Sequence, residues 1–163
     1  METKSFEVAI VGGGMVGLSL ALGLAGAGVP VALVERAKLS DMAAASFDGR
    51  GSAVAAGSQR ILDGLGLWSG VAGEAEPILE IRVADGASPL FLHYDHREIG
   101  DGPLGWIVEN AVTRRAFAAV AETSDLAVYD GTELAQCDFG EDAAILDLAD
   151  GRRINARLVV AAD

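Results

Sequence analysis

A chain of 163 residues is long enough for one domain with a substantial core, since chains of this size bury about 68–70% of their unfolded surface. With 51% hydrophobic and 22% charged residues, it is not a disordered chain. Twelve basic against 24 acidic residues give a formal net charge of -12, which excludes nucleic acid and anionic lipid as broad-surface partners.

In chain order, residues 7–11 form a short apolar run that predicts a strand buried on both faces. Residues 15–27 carry Leu18, Leu20, Leu22 and Leu24 among alanines and glycines, and predict a buried helix that stops at Gly28, with Pro30 beyond it. Residues 31–34 are a second apolar strand, parallel to the first if the crossover is right-handed. Residues 37–52 lack periodicity and read as a loop. Residues 53–67 place Val54, Ile61, Leu62 and Leu65 at helical spacing, predicting a helix that ends near Gly66. Alternation over 80–94 around Asp85-Gly86 predicts a hairpin. A short strand follows at 106–108, then a helix from Ala111. The strand-like segments 126–137, 144–148 and 158–162 close the chain, with Asp150-Gly151 turning it between the last two.

Cys137 is the only cysteine, so no internal disulfide can form and a reducing compartment fits. The opening METKSFE leads straight into a strand, not a secretory leader. Glycines and Glu35 interrupt the apolar run after it before it could cross a bilayer. The expectation is a soluble, cytoplasmic protein with no transmembrane segment.

Three consecutive glycines, Gly12, Gly13 and Gly14, stand between two segments that want to be buried. Gly12, Gly14 and Gly17 fit G-x-G-x-x-G between a strand and a helix, the context that gives this common pattern its meaning. The first glycine permits a tight turn and the second lets a pyrophosphate approach bare backbone. The third lets helix and strand pack closely, so that helix N-terminal amides, from Met15 onward, meet the phosphates. Glu35 ends the second strand, where a carboxylate accepts hydrogen bonds from adenosine ribose hydroxyls and repels a 2′-phosphate. The fingerprint does not separate NAD from FAD. A nicotinamide-binding Rossmann domain would continue with further strand–helix units, whereas this chain gives a loop, a helix, a hairpin and a late meander.

Four stretches carry a resemblance: VAIVGGGMVGLSLALGLAGAGVPVALVER, DGRGSAVAAGSQRILDGLGLW, VENAVTRRAF and DGRRINARLVVAAD. Together they resemble the flavin-dependent aromatic hydroxylases similar to para-hydroxybenzoate hydroxylase, and most of all the ubiquinone-biosynthesis hydroxylases acting on polyprenylated phenols. The resemblance implies a Rossmann-like α/β FAD-binding fold with a parallel sheet, a β-meander and an inserted part of a substrate-domain sheet. Residues 1–163 would be the N-terminal part of that FAD-binding domain, with 69–108 beginning the substrate-domain strands. It further implies that NAD(P)H reduces FAD and that oxygen from O2 is transferred to an electron-rich phenol. By the same resemblance Arg36 lies near the FAD adenosine, Arg50 runs along the flavin or pyrophosphate, and Arg114 flanks the cofactor. Val128 offers backbone to the adenine, and Asp163 is the aspartate that serves both FAD and NAD(P)H. Arginine suits phosphate because its charge is permanent and its donors are planar. The chain stops at VVAAD, before the glycine expected next, so the resemblance implies a piece of a longer hydroxylase. Peripheral membrane association or membership of a biosynthetic complex stays open. So do two rival readings: an FAD-dependent dehydrogenase or halogenase with the same N-terminal fold, and a noncatalytic nucleotide-binding module.

The segment HYDHRE offers His93, Asp95, His96 and Glu98, but on an extended segment the two histidines point to opposite faces, which is poor for shared metal ligation. Cys137 reads as a small buried hydrophobe, and Trp68 and Trp106 as packing residues. Asp48 and Asp63 have no carboxylate partner in the pattern, and no residue is assigned a catalytic role.

Overall fold

The computed structural model describes residues 3–44, 46–86 and 88–162. Strand β1 spans Lys4–Val11, helix α1 Met15–Gly26, β2 Val31–Glu35 and α2 Leu39–Ala44. Then come β3 at Gly51–Ala55, α3 at Ala56–Gly64, β4 at Glu76–Ile78, β5 at Glu80–Ala84 and β6 at Phe91–Asp95. The chain continues with β7 at Gly105–Glu109, α4 at Asn110–Thr123, β8 at Ala127–Asp130, β9 at Leu134–Phe139, β10 at Ala144–Leu148 and β11 at Arg153–Ala161. Two compact units result, one from Met1–Ser46 with Arg114–Asp163, the other from Phe47–Thr113.

The first unit is a mixed six-stranded sheet in the order β8-β2-β1-β11-β10-β9. The first four strands run parallel, and β10 and β9 complete an antiparallel meander. Val8, Ala9 and Ile10 are all buried, as are Val31 to Val34, because the parallel strands are covered on both faces. One core cluster gathers Ala9, Val34, Tyr129, Leu146 and Ile154, with the Phe6 ring meeting Tyr129 edge-on. Helix α1 packs on β1 and β2, burying Gly17, Leu18, Ala21 and Leu22.

The second unit holds an antiparallel sheet in the order β3-β7-β4 and the separate hairpin β5-β6. Helix α3 packs on β3 and β7. Val54, Leu62, Leu67, Trp68 and Val108 are buried, and Trp68 meets Trp106 edge-on at 5.3 Å between centroids. The hairpin pairs Ile81 with Tyr94 and Val83 with Leu92, so these four exposed side chains share one face.

Four sequence expectations change. The helix expected over 53–67 begins only at Ala56: Ala53, Val54 and Ala55 are the end of β3, with Val54 buried between two exposed alanines in a period of two. Within that helix Ile61, one of the apolar residues at helical spacing, is 64% exposed. The loop expected over 37–52 contains α2, whose Leu39 and Met42 are buried one turn apart. Its start is fixed by a contact 91 residues away in sequence, the Asp130 carboxylate accepting from the Leu39 amide at 2.9 Å, which no local pattern records. The single strand expected over 126–137 is two, because the chain turns at Gly131 and sends β8 and β9 to opposite edges of the sheet. The last strand starts at Arg153 rather than at Leu158, since Ile154 and Ala156 also alternate into the core.

Candidate cofactor site

Parallel strands end at one edge of their sheet, and ligands of open α/β sheets bind at such an edge. Here the ends of β1, β2, β8 and β11 meet there: Val11 pairs with Val34 and Ala161, and Glu35 pairs with Asp130.

The glycine turn follows β1. Gly12 is buried with φ +107°, a conformation that any side chain would strain, and its amide donates to the Val34 carbonyl at 2.9 Å. A Cβ on Gly17 would lie 1.9 Å from the Gly12 carbonyl oxygen, so the bare third glycine is what brings the first turn of α1 against the end of β1. Gly14 has ordinary extended backbone at φ -68° and is exposed, and a Cβ built there meets nothing within 4 Å. No side chain caps α1 and no acidic residue sits in its first turn, so the amides there keep their donor capacity. This open, donor-lined surface fits a pyrophosphate.

Glu35 is held in place by backbone. Its Oε2 accepts from the Gly13 amide at 2.5 Å and its Oε1 from the Ala37 amide at 2.8 Å. A carboxylate has about four acceptor positions, so capacity for two ribose hydroxyls remains. Gly13 is buried against that side chain, and a Cβ there would come 3.0 Å from Glu35 Cβ, Cγ and Oε2. The Glu35 carbonyl accepts from Thr132 and the Ala37 carbonyl from Gly131, each at 3.3 Å, tying the exit of β2 to the exit of β8.

The structure therefore brings Gly12, Gly13, Gly14, Met15, Gly17 and Glu35 together. Met15 opens α1 half-buried, its carbonyl accepting from the Ser19 hydroxyl at 2.6 Å. Val128 lies half-buried on β8 opposite Leu33, and Arg36 is exposed just past Glu35. Arg114 is half-buried on α4. Asp163 lies outside the described residues, although Ala162 before it donates its amide to Val11 at 2.7 Å beside the glycine turn. Arg50 belongs to the second unit. Its Nη2 lies 2.6 Å and its Nε 3.1 Å from Asp48 Oδ2, and its amide donates to Asp48 Oδ1. That pairing raises the guanidinium pKa further and leaves Nη1 unused by Asp48. Asp130 is one residue that sequence reasoning missed. Its only local signal was the turn-forming Asp-Gly pair, which says nothing of the α2 amide it binds.

Elsewhere, His93 sits on β6 with Nε2 3.3 Å from Glu80, while His96 opens a short 3₁₀ turn. The buried Asp95 accepts from the amide and guanidinium of Arg97, which hold its carboxyl well below the usual carboxylate range. Cys137 is half-buried on β9, where burial first and the neighbouring Asp138 second push its thiol up.

Residues 5–163 match the family described as FAD binding domain. Ubiquinone hydroxylase UbiL of Rhodospirillum rubrum is 42% identical over 161 residues, covering 98% of this chain and 37% of that protein. The 3-demethoxyubiquinol 3-hydroxylase of Escherichia coli is 35% identical over 166 residues, covering 100% of this chain and 42% of that protein. The chain thus spans about two fifths of the length of these curated relatives. Among solved structures, p-nitrophenol 4-monooxygenase from Pseudomonas putida superposes with a TM-score of 0.75 at 23% identity, over 99% of this chain and 42% of its own. That likeness shows a shared fold.

Proposed function

Because this chain belongs to the FAD binding domain family, we propose that it forms the FAD-binding portion of an NAD(P)H- and O2-dependent monooxygenase. The substrate is an aromatic ring, a polyprenyl phenol of ubiquinone biosynthesis. The observation that carries this reading is the 42% identity to a ubiquinone hydroxylase across a chain whose glycine turn is open at Gly14 and backed by Glu35. The chemistry supplied by bound FAD is the delivery of electrons from NAD(P)H to O2, with one oxygen atom passing to the phenol.

The roles of this chain's residues are to bind and orient. Gly14 and Met15 offer backbone to the pyrophosphate, Gly12 makes the turn, Gly13 leaves room for Glu35, Gly17 lets α1 pack on β1, and Glu35 accepts from the ribose hydroxyls. Arg36 serves the adenosine end and Val128 the adenine. Arg50, Arg114 and Asp163 serve the flavin half, and residues 69–108 begin the substrate-facing sheet. The assignment of Arg50 rests on resemblance and on its Nη1 donors, which the Asp48 pairing does not use. A cytoplasmic setting agrees with the single cysteine, Cys137. Among the described residues no helix is long and apolar enough to cross a membrane.

The test is an absorption spectrum of the purified whole protein with an NADH oxidation assay. Flavin bands together with oxidation stimulated by a polyprenyl phenol support the reading. A folded protein without flavin bands, or with oxidation indifferent to every phenol tried, contradicts it.

A further inference from the structure

The backbone around Arg50 is clamped by a residue that neither sequence pattern nor resemblance singled out. Strands β3 and β7 pair antiparallel from Gly51 opposite Glu109 to Ala55 opposite Gly105. Asn110, the next residue after β7, extends this ladder by one bond, its amide donating to the Arg50 carbonyl at 3.0 Å. Its side chain then reaches back: Asn110 Oδ1 accepts from the Ser52 hydroxyl at 2.7 Å, and both residues are half-buried. The two bonds grip the chain on either side of Gly51, where a Cβ would lie 3.4 Å from the Val108 carbonyl oxygen. The Arg50 side chain is 70% exposed and pairs with Asp48 on its other flank.

We infer that Asn110 is a positioning residue. Through the Ser52 hydroxyl and the Arg50 carbonyl it fixes where the Arg50 guanidinium is presented. This rests on the proposal that Arg50 meets the flavin or pyrophosphate of FAD. An exposed, rotamer-rich arginine gains from an anchored backbone, because less freedom is then lost when a ligand orders it. Asn110 suits the task because its one side-chain oxygen can receive the Ser52 proton while its own amide continues the ladder.

FAD titration of the whole protein, followed by flavin fluorescence beside a thermal melt, tests this with five variants. Ser52→Ala and Asn110→Leu remove the same side-chain bond, so each should weaken FAD binding by about three- to tenfold. The double variant should be no weaker than either single one. Asn110→Asp keeps the acceptor and should bind within about twofold of wild type. Should Asn110→Leu fail to fold, Ser52→Ala removes the bond from the other side. Lowered melting with wild-type FAD affinity in Ser52→Ala would overturn the inference, as would single effects that multiply in the double variant. Arg50→Ala separates the two layers. If it binds FAD like wild type, the role proposed for Arg50 fails and the inference falls with it. If it weakens FAD binding while Ser52→Ala and Asn110→Leu do not, only the positioning role falls.

Discussion

The tripeptide Asp-Gly-Arg occurs twice, at 48–50 and at 150–152, and folds the same way both times. The glycines adopt φ +81° and +88°. The arginine amides donate to the aspartate Oδ1 at 3.1 and 3.0 Å, and the Nε groups reach Oδ2 at 3.1 and 2.8 Å. What surrounds the two turns differs. Arg152 stacks over the Tyr129 ring at 4.9 Å in the first unit and is 46% exposed, whereas Arg50 is 70% exposed on a backbone anchored by Asn110. The tripeptide is therefore a self-contained turn in which aspartate binds arginine, and it does not by itself mark a cofactor contact. The second copy is an internal control for the first.

The largest expected difference is in ligand binding. Arg50→Ala should weaken FAD binding by the whole protein roughly ten- to hundredfold, the range for a lost charge-assisted hydrogen bond, while Arg152→Ala leaves it unchanged. Equal affinities in a fluorescence titration would erase the distinction between the two turns. Next come the glycines. A Cβ at Gly49 or Gly151 meets nothing within 4 Å, so strain alone acts, and alanine at either position should cost about 1 kcal/mol by urea unfolding. A neutral Gly49→Ala would mean that the first turn relaxes where the second does not.

Smaller effects separate the surroundings. Arg152→Ala should lose about 0.5–1 kcal/mol with the Tyr129 stacking, and Arg152→Leu, which keeps bulk without charge, should recover little of it. The last effect is on acid stability. Hydrogen bonds from the Arg152 side chain and amide hold the Asp150 carboxyl below its ordinary value. Its folded pKa is thus lower than its unfolded value of about 3.9. The stabilisation is present above that value and is lost as the pH falls through the folded one. Urea midpoints followed from about pH 6 to about pH 2 should fall less steeply in Arg152→Ala than in wild type. Parallel curves would show that the pair contributes nothing measurable.

Where structure followed from short-range pattern, the sequence was readable. The apolar strands β1 and β2, helix α1 and the spacing of Gly12, Gly14 and Gly17 needed only periodicity and backbone sterics, and all are present, with β1 starting three residues before the apolar run, at Lys4. Elements decided by distant partners were not readable. Val54 follows helical spacing locally, yet Ala53 to Ala55 pair with β7, fifty or more residues on in the chain. Helix α2 starts where Asp130 receives its first amide, and the turn at Gly131 splits a run that β-propensity alone would continue. The site divides the same way. The glycine turn and Glu35 were legible, although the left-handed backbone falls on Gly12 and not on Gly14, so a side chain at Gly14 would act by filling space without strain. Asn110, Ser52 and Asp130 act through long-range hydrogen bonds, and no spacing rule finds those.

That difference makes Gly14→Val the most direct test of the claim that the glycine turn holds the cofactor. The position is exposed, unstrained and open, so the substituted whole protein should melt close to flavin-free wild type. Its purified form should carry no flavin by absorbance, and added FAD should not saturate it where wild type binds one equivalent. A folded Gly14→Val protein that retains stoichiometric flavin would contradict the account.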